Sequence, residues 1–128
     1  MYKNIDHICI FSKNADKLSK WYQKIFGFEI ALKMERREPI FFLKLGDKSL
    51  IEIIPISEKN IDTRKTQRIG FNHISIIVDD FGKACEDLTS KGIILNEVRK
   101  TSQNWKIAYF NDPEDNILQI EYRQKMLW

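Results

Sequence analysis

The chain has 128 residues, of which 43% are hydrophobic and 30% charged, with 21 basic and 18 acidic side chains giving a net charge of +3. That is enough for one globular domain with a sizeable core and too little for two ordinary ones. Its 2 histidines and 2 cysteines exclude a four-cysteine zinc module, a disulfide scaffold and a histidine-rich metal store.

The basic residues are interspersed with acidic ones, apart from Arg64, Lys65 and Arg68, so a nucleic-acid partner is not expected. No apolar run approaches the ~20 residues of a membrane span, and no membrane partner is expected. Cys9 and Cys85 lie far apart and the N-terminus lacks a secretion-signal layout, so the expected compartment is the cytoplasm.

In chain order, Asp6-His7-Ile8-Cys9-Ile10 alternates as a strand. A helix follows, with Asn14 as its N-cap, Leu18, Trp21, Tyr22 and Ile25 on one face, and Gly27 as its stop. Three strand-like runs come next: Phe28–Lys33, Ile40–Leu45 and, after the Gly46-Asp47-Lys48 turn, Ser49–Ile54. A polar connector leads to Asn72-His73-Ile74-Ser75-Ile76, which repeats the first strand 66 residues on. The second helix is capped by Asp80, carries Phe81, Ala84, Cys85 and Leu88 as its stripe, and stops at Gly92. Strands at Ile93–Val98, Lys106–Phe110 and Ile117–Tyr122 complete the repeat, with residues 99–105 and 111–116 as loops.

The expected fold is therefore α+β, with two βαβββ modules forming a cupped mixed sheet in one domain over residues 1–128. Module one covers about 3–56, the connector 57–69 and module two about 70–123. Helices are expected on one side of the sheet, leaving the other as a concave surface.

Alternation sends His7 and Cys9 to the face opposite Ile8 and Ile10, and His73 and Ser75 to the face opposite Ile74 and Ile76. In the last strand of each module a carboxylate interrupts an apolar run, Glu52 in one and Glu121 in the other. His7, Glu52, His73 and Glu121 together suit one divalent ion of the Zn, Ni, Co or Mn kind, with room for a bidentate substrate. Phe11 and Cys9 share the His7 face as cleft-lining candidates. Arg123, two residues past Glu121, is placed to meet a substrate carboxylate or phosphate.

This pattern resembles the vicinal-oxygen-chelate superfamily, the glyoxalase, bleomycin-resistance and extradiol-dioxygenase group. The resemblance rests most on Asn72-His73-Ile74-Ser75-Ile76-Ile77-Val78-Asp79-Asp80 and on Tyr109-Phe110-Asn111-Asp112-Pro113 leading to Ile120-Glu121. It implies paired modules around one metal, often in a homodimer, and places His7, Glu52, His73 and Glu121 at the family's four ligand positions. The ligand order looks most like the glyoxalase I branch, whereas methylmalonyl-CoA epimerases often carry glutamine where Glu52 stands. The activity implied is lyase or isomerase chemistry on a small molecule, a thiol adduct among the candidates, with Glu121 as base and Glu52 as ligand and second carboxylate. Phe11 and Ile56 stand where glutathione-using members place an arginine and an asparagine, so the resemblance does not carry glutathione with it. The alternatives on the same scaffold are a non-catalytic drug or metabolite binder and a thiol-transferase-type resistance enzyme.

Overall fold

The computed structural model describes residues 1, 5, 7–56 and 71–127. The expected connector, 57–69, and Asp6 in the first repeated segment lie outside the described residues. The chain divides into two compact units, Met1–Thr63 and Arg64–Trp128, each holding one sheet and one helix.

In unit one the chain runs β1 (Ile8–Ser12), α1 (Ala15–Phe26), β2 (Glu29–Met34), β3 (Ile40–Leu45) and β4 (Ser49–Pro55). The four strands lie in the order β1-β4-β3-β2, with β1 parallel to β4 and the other pairs antiparallel. The Asn14 side chain accepts the Lys17 backbone N–H at 3.0 Å, satisfying one of the orphan donors at the start of α1. Gly27 ends the helix in the left-handed region at φ 76°, which a residue with a Cβ enters only at a cost. Leu18, Tyr22 and Ile25 are buried, along with Ile10 of β1, Phe41 and Leu43 of β3, and Ile51 and Ile53 of β4. The register sets Ile10 beside Ile53 and Leu43 beside Ile51, so these side chains form one apolar face. Full burial of each such aliphatic side chain contributes about 1.5–3 kcal/mol. Trp21 lies at the margin, half-buried and edge-on to Tyr22 and Phe26.

Unit two repeats the plan with β5 (His73–Ile77), α2 (Phe81–Ser90), β6 (Asn96–Lys100), β7 (Lys106–Asn111) and β8 (Ile117–Tyr122), in the order β5-β8-β7-β6. Asp80 caps α2 by accepting the Lys83 N–H at 3.0 Å. The helix ends at Ser90, and Gly92 follows at φ 82°. Of the expected stripe only Leu88 is buried; Phe81, Ala84 and Cys85 are half-buried. Ala108, Phe110, Leu118 and Ile120 form the buried sheet face.

The second predicted strand of this unit is corrected from 93–98 to Asn96–Lys100, and Arg99 and Lys100 leave the predicted loop. Every residue of β6 is exposed, so its limits follow from pairing with β7 rather than from an apolar pattern of its own. A register shift between Asn96 and Arg99, with Glu97 left-handed at φ 49°, echoes the shift between Ile30 and Leu32 in β2.

One carboxylate ties the β7–β8 loop together. Asp112 Oδ1 accepts the backbone N–H of Glu114 and Asn116 at 2.8 and 3.0 Å, and its Oδ2 accepts the Asn116 amide at 2.7 Å. This closed polar loop sets where β8 begins and hence which of its residues lie opposite β5. Among the described residues, no helix is long and apolar enough to cross a membrane.

Candidate functional site

Each sheet has a second face, opposite its helix-covered one, and the two histidines lie there. In unit one Cys9 lies beside Glu52 across the β1–β4 pair, and Phe42 beside Glu52 across β3–β4. Residues paired across a sheet share a face, and His7 joins them by alternation from Cys9. The His7 ring meets Phe42 edge-on, with centroids 5.3 Å apart at 77°. His7 Nε2 stands 3.8 Å from Glu52 Oε1, the two side chains being 34% and 16% exposed. Two donors each ~2.1 Å from one ion are ~3.4 Å apart at the tetrahedral angle and ~4.2 Å when opposed, so this pair fits a shared divalent ion.

Cys9 is exposed rather than the small buried residue its thiol suggests. Its pKa is nonetheless pushed up to about 11, first by desolvation at the sheet surface. The Glu52 carboxylate adds to this by accepting the thiol hydrogen and repelling the thiolate. Phe11, paired with Ile54, is 59% exposed on the same face.

Unit two carries the same constellation with different chemistry. Ser75 lies beside Gln119 across β5–β8, and Tyr109 beside Gln119 across β7–β8. The His73 ring meets Tyr109 edge-on at 5.4 Å and 90°, as His7 meets Phe42. His73 Nδ1 is 2.8 Å from Asn72 Oδ1, and in the neutral tautomer that donates to this oxygen Nε2 keeps the lone pair that a metal needs. Ser75 Oγ donates to Gln119 Oε1 at 2.7 Å.

From residue order Glu121 is the counterpart of Glu52, and the register corrects this by two residues. Glu121 lies beside Ile77 and Ile107, the level at which unit one has Ile54 beside Phe11. Period-two alternation gives positions 119 and 121 the same face, and only the pairing with β5 tells them apart.

Glu121 is 5% exposed. Its Oε2 lies 3.3 Å from the Ser75 hydroxyl, and its Oε1 accepts a hydrogen bond from Arg123 Nε. The Arg123 guanidinium is stacked 4.2 Å over Trp105, a residue that sequence patterning does not place. Lys106 pairs with Tyr122 at the end of the β7–β8 ladder, which puts Trp105 opposite Arg123 on the Glu121 face. A half-buried arginine thus gains a carboxylate partner and an aromatic platform. Among the described residues, no three or more histidine, cysteine, aspartate or glutamate side chains are gathered closely enough to hold a metal ion.

Several known proteins are similar to this chain in sequence or in fold. It is 25% identical to the mitochondrial methylmalonyl-CoA epimerase of Bos taurus, over 87% of this chain and 67% of that protein. It is 24% identical to the lactoylglutathione lyase of Schizosaccharomyces pombe over 91% of this chain, which corresponds to only 46% of the lyase. Its fold matches the crystal structure of a glyoxalase family protein from Enterococcus faecalis with a TM-score of 0.81 and 24% identity, over 94% of this chain and 98% of that one. Residues 4–120 match the Glyoxalase/Bleomycin resistance protein/Dioxygenase superfamily, and with that span the chain belongs to this superfamily.

Proposed function

We propose that the protein is a metal-dependent lyase or isomerase that moves a proton next to a carbonyl group of a small molecule. The observation that carries this reading is the His7–Glu52 pair, an imidazole nitrogen and a carboxylate oxygen 3.8 Å apart on an open sheet face. His73 supports it, because the neutral tautomer with Nδ1 donating to Asn72 has Nε2 as an acceptor. His7, Glu52 and His73 are the proposed ligands of one divalent ion of the Zn, Ni, Co or Mn kind. When bound, such an ion polarises a carbonyl and stabilises the negative charge left when the adjacent proton departs.

The chain's own groups then handle the proton. Glu121 is the base the sequence suggests, with Glu52 as second carboxylate, but Glu52 suits the role better, because it is partly exposed and faces His7 and Cys9. Glu121 is 5% exposed and has one oxygen engaged by Arg123, which leaves it less open to a substrate proton. Phe11 and Cys9 line the substrate side of unit one. Arg123 Nε is committed to Glu121, and the remaining guanidinium nitrogens are offered to a substrate carboxylate or phosphate. A homodimer working in the cytoplasm, with both cysteines free, completes the proposal.

Elemental analysis with a solution mass tests metal and assembly together. Solvent-deuterium exchange into 2-oxoaldehyde–thiol adducts and acyl-CoA epimers tests the reaction. His73→Ala is expected to lose most of the bound metal and the exchange; equal metal and equal exchange would refute the proposal.

A further inference from the structure

We infer that the β6–β7 hairpin and the end of β8 form an anion-binding site within unit two. Arg99 and Arg123 receive the carboxylate or phosphate of a small molecule, and Trp105 is the residue that positions Arg123. The inference deepens the proposed function by naming an anionic substrate, and rests on that reading only for the ligand's being a substrate.

Three neighbouring strands bring these residues to one face. Arg99 lies beside Ile107 across β6–β7, and Ile107 beside Glu121 across β7–β8. Alternation then gives Trp105 and Arg123 the same face. The hairpin loop fixes the indole. Thr101 N–H donates to the Trp105 carbonyl at 2.8 Å, and Trp105 N–H to the Thr101 hydroxyl at 3.2 Å. Asn104, left-handed at φ 67°, donates its N–H back to the Thr101 carbonyl at 2.9 Å.

The Arg123 guanidinium has donors left to offer. Its five N–H groups lie in one plane, and only Nε–H goes to Glu121. Stacking on Trp105 covers one flat side of that plane and leaves the edge free. Among the described residues no acceptor engages the Nη atoms, and no buried side-chain nitrogen lacks a hydrogen-bond partner. The Nη atoms of this side chain, 15% exposed, therefore reach solvent.

Charge decides what they take. Glu121 and Arg123 cancel, while Arg99, exposed and unpaired among the described residues, adds one positive charge to the same face. A net positive set of guanidinium donors favours an anionic oxygen over a neutral carbonyl.

Titration of the full chain with inorganic phosphate, and separately with acetate, at constant ionic strength tests this by ¹H–¹⁵N NMR. Saturable shifts are expected at the Trp105 indole N–H and at the side-chain N–H groups of Arg99 and Arg123. The anion that saturates them at the lower concentration names the group. Arg99→Gln should weaken binding about tenfold. Arg123→Lys keeps the charge without the planar edge, and Trp105→Leu keeps both arginines without the platform. Each should weaken binding by a similar factor, with Trp105→Phe restoring most of it. Should Trp105→Leu fold poorly, the exposed Arg99 still decides the matter. Unsaturable shifts spread over the lysines and arginines of both units, or affinity unchanged in Arg99→Gln and Arg123→Lys, overturn the site. Because the titration needs neither metal nor turnover, that result leaves the proposed proton transfer standing.

Discussion

Cys9 shows how one neighbour sets a side chain's chemistry. A thiol whose pKa is pushed up to about 11 is almost wholly protonated at pH 8, so it is a poor nucleophile despite its exposure. Glu52→Gln removes the repelling charge but not the desolvation, so the pKa should fall only part of the way. In chelator-treated protein, iodoacetamide should therefore label Cys9 about tenfold faster in this variant at pH 8, read by mass spectrometry of the Cys9 peptide. The same shift links to stability. The folded thiol holds its proton to higher pH than the unfolded one, so its contribution is intact below about pH 9 and is lost as pH rises through about 11. Urea melts at pH 8 and pH 10.5 should show that loss in the parent and a smaller one in Cys9→Ser. Cys85 is raised by burial alone, so its labelling should ignore Glu52.

At the scale of elements, local rules read well where backbone groups need a specific partner. Asn14 and Asp80 cap their helices as the sequence indicates, each by accepting an N–H three residues on. Asn14→Ala and Asp80→Ala should each cost about 1 kcal/mol in urea melts. The strands β3 and β8 match their predicted limits because buried runs bounded by turns leave little freedom. The pattern fails where pairing decides. The edge strand β6 has no buried residue to mark its frame, and along β8 the frame is legible while the ladder position is not. His7, Glu52 and His73 could therefore be placed on a face from residue order alone. The equivalence of Gln119 with Glu52, and the platform that Trp105 makes for Arg123, needed the neighbouring strands.

Across the whole molecule, one plan occurs twice and has diverged on one face. The helix-covered faces stay mainly aliphatic and aromatic in both units, where a buried polar group needs a partner, as Ser12 has in the Asn14 N–H. The opposite faces differ: Cys9 and Glu52 in one unit correspond to Ser75 and the buried Gln119 in the other. The two kinds of face should respond unequally to truncation. Phe110, fully buried, should cost about 3–5 kcal/mol on change to Ala. Phe11, 59% exposed, should cost less than about 0.5 kcal/mol. Chemical denaturation measures both.

The parallel pairing of first strand with last has a temporal side. As the chain is synthesised, β5 emerges with no neighbour, since its partner β8 begins with Ile117, 44 residues after His73. At ~5–20 residues per second that leaves His73–Ile77, a short stretch rich in β-branched side chains, without its ladder for ~2–9 s. During that interval the segment is open to chaperones and to other nascent chains, so the speed of translation between β5 and β8 bears on how much of the protein reaches its native state.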